Sequence, residues 1–102
     1  MNTNSTKKFG IKNFETKFGK LTIGKMLESH RLAEAISGKD MAKILGISAS
    51  SLCDLEKGRR IPTPSRAATI AKKLGYSQKL WIQTCLQDQL DQQGFNFKVS
   101  VA

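Results

Sequence analysis

The sequence predicts an all-α domain of five short helices, with short β-strands contributed by the two ends of the chain. Three observations predict it. Apolar residues recur at helical spacing between residues 22 and 93. Each run opens on Ser or Thr, and most close on Gly. Strict apolar–polar alternation is confined to the termini.

Thr22 can cap a first helix reaching about Ile36, with Ile23, Met26, Leu27 and Ala33 on one face. Ser37 caps the next, and Asp40 three residues on completes a box-like start signal. Met41, Ala42, Ile44 and Leu45 form its apolar face. Gly46 stops it, because glycine enters the left-handed region at little cost. Ile47 then turns into the core. Ser48 caps a third helix with Leu52, Cys53 and Leu55 inward and Gly58 at its end. Two prolines keep Gly58–Pro64 from being regular helix. Ser65 is the expected cap of a fourth helix, with Ala67, Ala68, Ile70, Ala71 and Leu74 inward and Gly75 behind it. Ser77 caps a fifth, apolar at Leu80, Trp81, Ile82, Cys85, Leu86 and Leu90, running to about Gln93.

Phe95, Phe97, Val99 and Val101 alternate with polar residues, which is a strand pattern, and Phe9/Ile11 and Phe14/Thr16/Phe18 alternate weakly. A lone strand is an unpaired edge, so the arm or a second subunit is expected to pair with it. The chain thus divides into a basic arm (1–20), a helical domain (21–93) and a terminal strand (94–102) suited to dimerisation.

At 102 residues, 39% hydrophobic and 25% charged, the chain fits one globular domain and not a disordered one. No apolar run approaches the ~20 residues a membrane span needs. The first residues lack the apolar stretch of a secretory signal. Two cysteines make neither a disulfide scaffold nor a zinc site, so a reduced, cytoplasmic protein is expected. With one His, no Gly-rich phosphate loop, no paired carboxylates and no nucleophile–base set, neither an enzyme nor a cofactor or metal site is expected.

The net charge of +9 points to a polyanionic partner, nucleic acid first and an anionic membrane surface second. The excess is uneven. Residues 1–25 carry +5, residues 26–56 carry −2, and residues 57–76 carry +6 with no acid among Lys57, Arg59, Arg60, Arg66, Lys72 and Lys73.

The segment Ser37–Gly58, SGKDMAKILGISASSLCDLEKG, places two short helices about a tight turn at Gly46-Ile47-Ser48. Such a unit projects its second helix outward at a fixed angle. Ala42 stands where the helices cross, Gly46 in the turn, and Ile47, Leu52 and Leu55 in the core. Glu56-x-Gly58, basic residues and Pro64 follow. In this ordered set the sequence resembles the lambda-repressor-like (Cro/CI, XRE) helix-turn-helix family over about residues 22–82. The resemblance implies a five-helix lambda-repressor-like domain that binds double-stranded DNA, its second helix-turn-helix helix entering the major groove. It also implies that Arg31 and Glu56 form a structural salt bridge orienting that helix.

By position, Ala49, Ser50, Ser51 and Asp54 then face bases. Serine hydroxyls donate or accept, Ala49 touches a thymine methyl, and Asp54 accepts from cytosine N4. These small side chains depart from the Gln, Asn or Arg frequent in the family, so part of the specificity is expected from DNA shape or the basic arm. Asp54 meets phosphate repulsion unless it is neutralised. Phosphate contacts are expected from Gly38 and Lys39 at a helix N-terminus, and from Lys57, Arg59, Arg60 and Arg66. Lys72 and Lys73 read as a solvated face, and Lys43 is open. His30 reads as a surface or capping residue, Cys53 and Cys85 as core packing, and Trp81 as the anchor of the last helix.

The expected function is a sequence-specific transcriptional regulator, a repressor, acting as a homodimer through the last helix and the tail. A second reading is an antitoxin that binds a cognate toxin through the arm or tail and represses its own operon. A third, a protein-interaction or membrane-surface module using the basic arm, is the least favoured.

Overall fold

The computed structural model describes residues 21–102, and among them every regular element is helical. The helices are α1 (Ile23–Ala33), α2 (Gly38–Leu45), α3 (Ala49–Glu56), α4 (Pro64–Leu74) and α5 (Gln78–Gln92). The expected arm, residues 1–20 with its weak alternation, lies outside the described residues.

Each helix opens on a hydroxyl that accepts a first-turn amide. The caps are Thr22 to Lys25, Ser37 to Asp40, Ser48 to Ser51, Thr63 to Arg66 and Ser77 to Leu80. The fourth cap is therefore Thr63 and not Ser65. Pro64 takes the first helical position, where its missing N–H has no partner to lose and its fixed φ suits the helix.

The first helix stops at Ala33, short of the expected Ile36. Ala35 adopts φ 55°, and the amides of Ala35 and Ile36 donate to the carbonyls of Leu32 and Arg31 at 3.1 and 3.2 Å. This is a Schellman end with alanine where glycine is usual. A left-handed alanine costs roughly 1 kcal/mol. Ala35→Gly is therefore expected to raise the melting temperature by about 5 °C in thermal denaturation.

Ile23, Leu27, Met41, Leu52, Ile70, Trp81 and Cys85 fill the core with the small residues Ala42, Ala67 and Ala71. Each large aliphatic side chain contributes about 2 kcal/mol by leaving water. α4 and α5 pack most extensively on one another, and α3 lies against α1 and α2. Ile44 and Leu80, expected inward, are half exposed. Cys53 is exposed as well, because one residue beyond Leu52 is a rotation of about 100° away from the core. Cys85 is buried as expected. Its thiol donates to the Pro62 carbonyl, and burial, with the nearby Asp88 charge, pushes its pKa up to about 11.

Asp88 is buried on α5 and accepts the Ile23 amide at 2.8 Å, so an acid 65 residues away caps the start of α1. Lys73 donates from Nζ to the Leu45 carbonyl at 3.3 Å and closes the end of α2. It is thus tied to the fold and is not a purely solvated lysine.

The tail alternates as read but forms no strand among the described residues. It returns along α5, where two glutamines one turn apart take the place of a partner strand. Gln87 donates to the Phe97 carbonyl and accepts the Val99 amide, and Gln83 accepts the Val101 amide. Phe95 and Phe97 stack on each other at 6.2 Å and stay exposed.

Candidate nucleic-acid interface

The turn Gly46-Ile47-Ser48 reverses the chain between α2 and α3. Gly46 holds φ 71°, and the Ile47 amide closes on the Ala42 carbonyl at 3.0 Å. Ile47 then packs against the core, which fixes the exit direction of α3.

Two further contacts hold α3. At Gly24 the α1 backbone meets the end of α3, and a Cβ placed there would clash with the Leu55 carbonyl oxygen and come within 2.9 Å of that of Glu56. Beside it, Arg31 grips Glu56 with two parallel bonds, Nε to Oε2 at 2.9 Å and Nη2 to Oε1 at 3.0 Å. The pair is largely shielded, with side chains 20% and 7% exposed. Arg31 also reaches the Ile36 carbonyl at 3.5 Å. The Glu56 bond holds its guanidinium more firmly charged than usual. The pair ties α1 to the end of α3 and so positions that helix.

Ala49 and Ser50 stand exposed at the start of α3. Ser51 is half-buried, and its hydroxyl accepts from Ser48 at 2.9 Å, inside the cap. Asp54 is partly shielded and accepts from Arg59 Nε at 2.8 Å. The Arg59 guanidinium thus offsets the Asp54 charge. Arg59 in turn is folded back on α3 and does not extend from the loop.

The remaining cations border separate grooves. One groove brings Gly38 and Lys39 at the start of α2 beside Ala49, Cys53 and Lys57. The Ser37 cap takes the Asp40 amide and leaves those of Gly38 and Lys39 as the first-turn donors it does not use. Arg66 borders a cleft between the end of α2 and the start of α4, with Gly46, Thr63 and Thr69. Lys57, Arg60 and Arg66 are exposed. Sequence reasoning missed the Gly24 contact and the Asp54–Arg59 pair. A glycine inside a helical apolar pattern was the available signal for the first.

A short helix braced at both ends, projected from a tight turn and flanked by cations, defines a helix-turn-helix unit, the class of protein built to bind DNA. The model of the helix-turn-helix domain family matches residues 24–84, and the chain belongs to that family. A search of curated proteins finds no match. Among the described residues no helix is long and apolar enough to cross a membrane.

Proposed function

We propose that this protein is a sequence-specific regulator of transcription, a repressor, that binds double-stranded DNA by laying α3 in the major groove. The observation that carries the reading is the exposed Ala49–Ser50 end of a helix braced by Gly24 and by the Arg31–Glu56 pair. Ala49, Ser50 and Ser51 share the first turn and meet base edges, with Asp54 and its partner Arg59 one turn further along. Gly38 and Lys39 offer a phosphate the amides and positive end of α2. Lys57 adds a cation in the same groove, and the exposed Arg60 and Arg66 add two more nearby in sequence.

Two-fold operators need two recognition helices about one DNA turn apart, ~34 Å. A second copy therefore belongs to this reading, and the exposed Phe95–Phe97 pair beside α5 is the surface that suits it. Capture of a different small protein by that pair, with dimerisation unaffected by Phe97→Ser, would favour the antitoxin reading instead. Free thiols, one of them exposed, fit a cytoplasmic location.

Salt dependence tests the phosphate face. The logarithm of affinity falls linearly with the logarithm of salt, with a slope of about 0.9 per phosphate neutralised on duplex DNA. Arg60→Ala and Arg66→Ala are each expected to lower that slope by about 1 and to weaken all sequences alike. Unchanged slopes in both variants would remove these residues from the interface.

A further inference from the structure

Two arginines pair with acids of α3, and they do so differently. Arg31 donates along its Nε–Nη2 edge to Glu56 and from Nη1 to the Ile36 carbonyl, and its side chain is only 20% exposed. Arg59 also uses its Nε–Nη2 edge, donating from Nε to Asp54 at 2.8 Å and from Nη2 to the Cys53 sulfur at 3.3 Å. Its side chain is nevertheless 59% exposed. The guanidinium is planar, with five N–H groups in a fixed fork. With one edge on Asp54 and Cys53, the Nη1–Nη2 end necessarily points away from both.

The main chain anchors the same residue. The Arg59 amide donates to the Asp54 carbonyl at 2.9 Å, and Arg60 does so at 3.2 Å, behind Gly58 at φ 77°. Asp54 therefore holds Arg59 twice, through its carbonyl and its carboxylate. A long side chain that would lose rotamer freedom on binding is already ordered before it meets a partner.

Resting on the DNA-binding reading above, we infer that Arg59 is a base-reading residue, its Nη1–Nη2 end forking onto O6 and N7 of a guanine while Asp54 aims it. A guanine offers two acceptors on its major-groove edge at the spacing of that fork. Asp54 is then a positioning residue, and its negative charge is spent on Arg59 before any phosphate is near. This reassigns both residues. Asp54 does not take a cytosine amine, and Arg59 does not serve as one more phosphate cation. It also supplies the long donor that Ala49, Ser50 and Ser51 lack.

The test is selection of bound duplexes from a random pool by the full chain, followed by affinity measurements on single-base variants of the recovered site. Three proteins are compared, wild type, Arg59→Lys and Asp54→Ala, each checked for an unchanged thermal melt. Wild type is expected to prefer guanine at one position. Arg59→Lys keeps the charge but not the fork, and is expected to reduce discrimination at that position about tenfold or more, leaving the other positions as they were. Asp54→Ala, though it removes an acid, is expected to relax the same position.

A phosphate role gives the opposite pattern. Arg59→Lys would then retain every base preference, and Asp54→Ala would tighten binding to all sequences alike. Either result overturns the assignment of Arg59 while leaving DNA reading by α3 standing. A wild-type protein that recovers no preferred sequence overturns both.

Discussion

Gly24→Ala is expected to destabilise the fold by about 3 kcal/mol or more, a loss of over ~10 °C in melting temperature. Helix propensity alone argues the reverse, because alanine in a helix interior is favoured over glycine by about 1 kcal/mol. The structure decides the sign. Gly24 is buried in the first turn of α1, and the added methyl would run into the carbonyl oxygens of Leu55 and Glu56. These are main-chain atoms at the end of α3, so no side chain can swing aside to relieve the overlap. Either α1 and α3 separate, which opens the core around Ile23, Leu27 and Leu55, or the last turn of α3 unwinds. The second route also weakens the Arg31–Glu56 pair. In a domain whose total stability is on the order of 5–15 kcal/mol, the loss leaves little margin at growth temperature. Denaturant or thermal unfolding followed by circular dichroism reads the effect, and a more stable Gly24→Ala would contradict the packing of α1 on α3.

Ser50→Glu is expected to lower DNA affinity at least ~100-fold while leaving the fold intact. Ser50 is exposed, and among the described residues the cap of α3 is made by Ser48 and Ser51. A carboxylate in the first turn is favourable to the helix dipole by some 0.3–1 kcal/mol, so stability is expected to hold or rise. In the groove the same carboxylate meets base acceptors and two rows of phosphates. Lys98→Gln changes the net charge by the same amount in the tail and serves as the control. Equal losses in the two variants would mean that bulk charge and not α3 governs binding.

The helices, their order and most of their caps were legible because each signal is local. A hydroxyl accepts an amide three residues on, a glycine ends the run, and the apolar face repeats within one element. What stayed hidden depends on distant partners. Nothing near Asp88 announces that it caps Ile23, and nothing near Gly24 announces the carbonyls of Leu55 and Glu56. The early end of α1 was missed because alanine, not glycine, sits in the left-handed position at residue 35. At the tail the period of two predicts a strand, yet Phe97, Val99 and Val101 bond through their backbone groups to α5 instead. Their partners are the side chains of Gln83 and Gln87, which no strand pattern encodes. On the candidate site, the positions of Arg31 and Glu56 followed from the family resemblance. The engagement of Asp54 with Arg59 did not, since it needs the loop after Gly58 to fold back on α3.

Mapping amide chemical shifts of the full chain during titration with a duplex recovered by selection tests the central claim most directly. The account predicts that the largest changes fall on Ala49, Ser50, Ser51 and Asp54, with smaller ones at Gly38, Lys39, Lys57, Arg60 and Arg66, while Gln83, Gln87 and the tail amides of Val99 and Val101 move least. Large changes along α5 and the tail, with α3 unmoved, would contradict it.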